Sequence, residues 1–107
     1  MSSNSHVVCI FRSRRTDHSD EEYAEWSERM DHLVREAPGY IEHASFRDEA
    51  SGNGVTISYF RSMPDLVAWK HQPKHLEAQA LGRATFYEHY EIEVAEIVRQ
   101  YEWTLSE

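Results

Sequence analysis

The apolar period along this chain switches between two and three-to-four, and each switch marks an element. His6 to Arg12, carrying Val7, Val8, Cys9, Ile10 and Phe11, predicts a first strand. Ser19-Asp20-Glu21-Glu22 is a Ser-x-x-Glu capping box, expected to start a helix. Tyr23, Trp26, Met30, Leu33, Val34 and Ala37 then recur at steps of three and four, forming one apolar stripe that Pro38-Gly39 ends. Tyr40 to Glu49 reads as a strand, with Tyr40, Ala44 and Phe46 on one side and Ile41, His43, Ser45 and Arg47 on the other. Ser51-Gly52-Asn53-Gly54 predicts a hairpin turn, because Asn and Gly accept positive φ, and Val55 to Arg61 is the returning strand. Ser62 is the expected N-cap of a further helix, which Pro73 interrupts and reopens and Gly82 closes. Tyr90 to Trp103 reads as a long last strand whose alternation slips near Ala95-Glu96, the mark of a bulge.

The order βαββαβ predicts a ferredoxin-like α+β fold: one domain over residues 1–107, with its core at about 6–103 and a four-stranded antiparallel sheet covered by helices on one face. Val7, Cys9 and Phe11 alternate with Val8 and Ile10, so the first strand is apolar on both faces. In the last strand Ile92 and Val94 are followed by Ile97 and Val98 on the opposite parity. One helical layer cannot cover two apolar faces, so the expectation is a homodimer with its sheets face to face. The tail over 101–107, with Tyr101, Trp103 and Leu105, is expected to reach the partner.

Charge and composition narrow the function classes. Eleven basic and nineteen acidic side chains among 107 residues give a formal charge of −8, which disfavours nucleic acid as a partner. The basic cluster Arg12-Ser13-Arg14-Arg15 is too short to reverse this. The start lacks a signal-peptide pattern, no apolar run could span a membrane, and the single cysteine fits a reducing compartment, so a cytoplasmic protein is expected. Cys9 has no basic neighbour in sequence and reads as an inert core residue.

The stretch from Trp69 to Tyr90 concentrates the candidate chemistry. It holds Trp69, His71, His75, Phe86, Tyr87 and Tyr90, rings with polar edges that suit a pocket for a flat, partly polar molecule. His71 and His75 have the spacing of two ligands on one helical face. Pro73 breaks that face and no third ligand lies near, so no metal site is expected. His43 is expected to decorate a strand at the dimer surface. No phosphate-binding glycine loop, nucleophile elbow or paired-carboxylate motif is present.

Tyr59-Phe60-Arg61-Ser62 leading into Trp69-x5-His75-x3-Gln79-x2-Gly82-Arg83-x3-Tyr87-x2-Tyr90, on this element order, resembles the antibiotic biosynthesis monooxygenase domain family. That family consists of small dimeric α+β barrel proteins. The resemblance implies a cleft between helices and sheet, and oxidation of a phenolic or quinol-type aromatic by molecular oxygen without a bound cofactor. In that setting His75 is the first candidate base and His71 the second, since imidazole titrates near neutrality. Tyr87 and Tyr90 would bond substrate oxygens, Arg83 would stabilise the anion, Trp26, Trp69 and Phe86 would supply flat walls, and Gln79 would also contact the substrate. For Trp26 alone, core packing is the better reading. Two alternatives stay open. Haem-degrading relatives carry a histidine ten positions after the tryptophan and an asparagine on the first strand. Here the tenth position after Trp69 is Gln79, and the first strand holds no asparagine. The second alternative is a cleft that binds a small ligand without reacting.

Overall fold

A computed structural model describes residues 6–106. Its elements are β1 (Val7–Arg15), α1 (Asp20–Arg35), β2 (Tyr40–Arg47), β3 (Asn53–Phe60), α2 (Met63–Lys70), α3 (Pro73–Leu81), a π-helical turn over Gly82–Phe86, and β4 (Tyr87–Glu96). The strands form one antiparallel sheet in the order β2-β3-β1-β4. This is the ferredoxin-like arrangement that the periodicities predict.

The register sorts the sheet into two faces. Val7 pairs with Phe60, Cys9 with Ser58, Phe11 with Thr56 and Ser13 with Gly54, so these side chains look toward the helices. Val8 and Ile10, opposite Tyr59 and Ile57, look away. The aliphatic core lies at one end of the inner face, where Val7, Val34, Phe60, Leu66 and Trp69 pack together. Phe60, Leu66 and Val7 are fully buried, and each such side chain contributes about 1.5–3 kcal/mol. Ser62 caps α2 as expected, accepting from the Asp65 N–H at 3.3 Å. Gln72 breaks the second helical region in front of Pro73, its Oε1 accepting from the His75 N–H at 2.9 Å.

Several expectations need correction. The capping box at Ser19 does not form. Ser19 is left-handed (φ 65°) and its hydroxyl makes no cap bond. The start of α1 is held instead by the nearly buried Arg15 side chain, whose Nη2 donates to Asp20 at 2.7 Å. In the hairpin only Gly52 takes positive φ (80°), while Asn53 already belongs to β3. Gly82 does not close α3. It is right-handed and leads into the π-helical turn, whose last carbonyls are bonded by Thr16 Oγ1 (to Thr85, 2.9 Å) and by Arg15 Nη1 (to Phe86, 2.6 Å).

The last strand is shorter than its pattern suggests. It ends at Glu96, opposite Val7 where β1 begins, and only the Ile97 N–H bonds further, to His6 O. Past this point Val98, Tyr101, Trp103 and Leu105 stand exposed. The expected slip at Ala95-Glu96 is absent. The irregularity lies at the other end, where Arg14 faces His89 and Arg15 faces Tyr87, leaving Glu88 as the extra residue. A second irregularity leaves Ile41 unpaired between Tyr40 and Glu42. Tyr40 therefore shares the inner face with His43, not the outer face with Ala44 and Phe46.

Candidate functional site

Between the helices and the inner sheet face lies a cavity of about 410 Å³. Such a volume suits a small organic molecule. The sheet rows give it direction. Cys9, Ser58 and His43 form one row and Phe11, Thr56 and Ser45 the next, while Ser13, Gly54 and Arg47 form the third.

At the end nearest the aliphatic core, Trp69 and His75 stack with ring centroids 4.5 Å apart and planes 21° from parallel. Pro73 sets this geometry by turning the chain between the two rings. His75 Nδ1 is buried and has no hydrogen-bond partner among the described residues. Burial lowers the His75 pKa, against the opposing pull of the Lys70 and Trp69 carbonyls, and the Lys70 charge lowers it further. The imidazole is therefore neutral at neutral pH and can accept a proton. Cys9 faces the same space. Burial raises its pKa and keeps it a thiol, although Lys70 and Ser58 pull the other way.

The opposite end is aromatic and cationic. Tyr23, Phe86 and Tyr87 meet edge to face, with Tyr23 and Phe86 centroids 5.5 Å apart, and Phe11 touches Tyr87 and Tyr90 at 5.4 Å each. The Arg15 guanidinium lies 4.0 Å above the Tyr23 ring centre. Arg47 donates to the Ser13 hydroxyl (3.1 Å), to Gly52 O (2.9 Å) and to the Tyr23 hydroxyl (3.0 Å). Burial raises the Tyr87 pKa strongly and the adjacent Tyr23 adds to this, while Arg47 and Arg15 oppose it. Tyr87 is thus a hydrogen-bond donor and not a base. Gly82 makes room for its ring, since a Cβ there would stand 3.0 Å from two ring carbons.

Each bulge brings two inward side chains together. In a regular strand residues three apart face opposite ways. The extra Glu88 puts Tyr87 and Tyr90 on the same face, and the extra Ile41 does so for Tyr40 and His43. His43 then bridges two partners. Its Nε2 donates to Asp31 Oδ1 at 3.1 Å, and its Nδ1 meets the Tyr40 hydroxyl at 2.7 Å. Its side chain is only 9% exposed, so the expected place at an outer dimer surface is a misplacement. Ser45 and Thr56 hydroxyls pair at 2.8 Å in the next row.

Of the residues singled out from sequence, the cavity gathers Trp26, Trp69, His75, Gln79, Phe86, Tyr87 and Tyr90. Trp26 is half-buried, with the Arg29 guanidinium 4.5 Å over its ring. His71 and Arg83 are exposed and do not line the cavity. His71 Nδ1 bonds the Val67 carbonyl at 3.0 Å, and Arg83 donates to the Tyr90 hydroxyl at 3.2 Å. The lining residues that sequence reasoning missed include Asp31, His43, Arg47 and Lys70. A register in which Thr56 and Ser58 faced inward would have carried His43 and Arg47 with them. Among the described residues no group of three or more His, Cys, Asp or Glu is placed to hold a metal ion. Nor, among these residues, is any helix long and apolar enough to cross a membrane.

Known proteins resemble this chain in sequence or in fold. A Bacillus subtilis (strain 168) protein called YqjZ, itself uncharacterised, is 40% identical over 95 residues, covering 89% of this chain and 82% of its own. The crystal structure of SnoaB from Streptomyces nogalater, described as a cofactor-independent oxygenase, superposes with a TM-score of 0.72 at 18% identity, covering 96% of this chain and 99% of that one. Rv0793 from Mycobacterium tuberculosis gives 0.79 at 16% identity over 92% of this chain and 100% of its own. The family model for antibiotic biosynthesis monooxygenases matches residues 6–81, and the chain belongs to that family.

Proposed function

We propose that the protein oxidises an electron-rich phenol or quinol with molecular oxygen, the aromatic itself supplying the electrons. The observation that carries this reading is the partly buried imidazole of His75, stacked on Trp69 and lining the cavity. A neutral imidazole in that position accepts the phenolic proton. The phenolate passes one electron to oxygen, and the resulting radical and superoxide join through a new carbon–oxygen bond. Loss of water from the peroxide leaves a quinone, so phenol and O2 balance against quinone and water without a further reductant. Tyr87, kept protonated, donates to a substrate oxygen, with Tyr90 and Gln79 alongside. Trp69, Trp26 and Phe86 hold the ring plane.

Oxygen uptake by apo protein with naphthols and naphthoquinols tests this. The expected result is one O2 consumed per quinone formed, and a fall of about 100-fold or more in His75→Ala. Unchanged turnover in that variant removes His75 from the mechanism. The haem reading would rest on His71 or His75, of which only His75 reaches the cavity. A shifted Soret band on haemin titration, abolished in His75→Ala, would favour it over phenol oxidation. Ligands that stabilise the fold without consuming oxygen would favour a binding module.

The functional unit in this proposal is a homodimer. Val8, Ile10, Ile57 and Tyr59 occupy the sheet face away from the helices, and Phe46 there is 65% exposed. A second copy would cover this face, with the apolar tail around Trp103 as a further contact. A monomer in sedimentation would remove the dimer from the proposal.

A further inference from the structure

The chain is acidic overall, yet its cavity is not. The formally charged residues lining it are Arg47, Lys70 and Asp31, two cations against one carboxylate. Asp31 already accepts from His43. Neither cation forms an ion pair among the described residues. All four acceptors that hold the Arg47 guanidinium are neutral: the Ser13 carbonyl and hydroxyl, the Gly52 carbonyl and the Tyr23 hydroxyl. The neighbouring carboxylate of Asp48 takes the Ser51 hydroxyl at 2.7 Å. Arginine has five N–H donors, and the Arg47 Nε–H has no partner among the described residues. The guanidinium lies across Gly54, where any Cβ would collide with it. A partly buried cation held in place without a counter-charge is costly, and an anion relieves that cost.

We infer that Arg47 is a ligand-binding residue, and that the cavity takes an aromatic carrying an anionic oxygen group, a carboxylate or an acidic phenol, at that end. This rests on the cavity being the substrate site. His43 and Arg47 lie four residues apart on β2, about 13 Å along an extended strand. The anion therefore seats at the far end from Trp69 and His75, and the ring system spans the distance between. Arg47 is the seat in preference to Lys70 because a fixed, planar guanidinium matches a carboxylate in two-point contact, whereas an ammonium is a mobile point charge. The requirement selects acidic aromatics over neutral ones of equal shape.

Naphthoate and naphthamide differ little in shape but differ in charge. Their affinities for the full chain can be read from tryptophan quenching, since Trp26 and Trp69 line the cavity. Naphthoate is expected to bind about tenfold more tightly or better. High salt should erode that advantage without affecting naphthamide. Arg47→Met should abolish the preference, Arg47→Lys should keep part of it, and Lys70→Met should leave it. Equal affinities in the unaltered protein overturn the inference even if Arg47 variants fold poorly. So does a preference that survives Arg47→Met or disappears in Lys70→Met. Binding of naphthamide but not naphthoate sinks the anion seat and leaves the aromatic cavity standing. Binding of neither sinks both.

Discussion

The two ends of the cavity are built on opposite principles. At the Trp69 end, apolar packing against Phe60 and Leu66 is tight and one imidazole nitrogen is left without a partner. At the Arg47 end, Arg47 Nη1 and Nη2 and the Tyr23 hydroxyl are bonded to one another and to backbone, and what lacks a partner is a charge. Under the proposals above the first end would move a proton and the second would hold an anion, so the two roles should fail separately.

Phe60→Ala tests the packed end most severely. It should lower stability by about 3–5 kcal/mol in urea unfolding, and a loss below about 1 kcal/mol would mean that this end is not the core. Gly54→Val tests the other end. It forces Arg47 from its place and should cost about 1–3 kcal/mol while weakening naphthoate more than naphthamide. If stability and selectivity both stay unchanged, the fit of guanidinium to glycine is unimportant. Tyr23→Phe removes a single acceptor of Arg47 and should cost about 1 kcal/mol, with the Trp69–His75 stack undisturbed.

The mildest effect concerns pH. Burial lowers the His75 pKa in the folded chain, so the unfolded chain takes up that proton first. Stability should decline as pH falls below the ordinary value of 6.5 toward the lower folded value. His75→Phe should remove that part of the acid loss. Identical pH profiles for the two proteins would show that the imidazole is not buried as described.

The element order and the ring-bearing stretch were legible because period and punctuation are local signals. Pro73, Ser62 and the stripe from Tyr23 to Ala37 act as sequence rules predict. Most of the Trp69-to-Tyr90 residues reached the cavity for the same reason. His43 and Arg47 were not legible because the alternation in β2 sorts its residues into two sides without showing which side faces the helices. In the structure the inner face of β2 carries His43, Ser45 and Arg47 to the cavity, and Ala44 and Phe46 lie on its outer face. Ser19 misled for a different reason. Its motif is correct, but the Arg15–Asp20 pair competes for the same turn. The end of β4 was illegible because it depends on where β1 runs out, a non-local fact.

Ile41 and Glu88 each count as one codon added to an otherwise even strand. Removing the codon for Glu88 would restore strict alternation and turn the phenol of Tyr87 outward while every other side chain stayed chemically the same. In this scaffold, small gains and losses of length are thus as direct a route to altered chemistry as point changes. Aligned relatives that differ by a single gap at either place would present a different set of hydroxyls to whatever they bind.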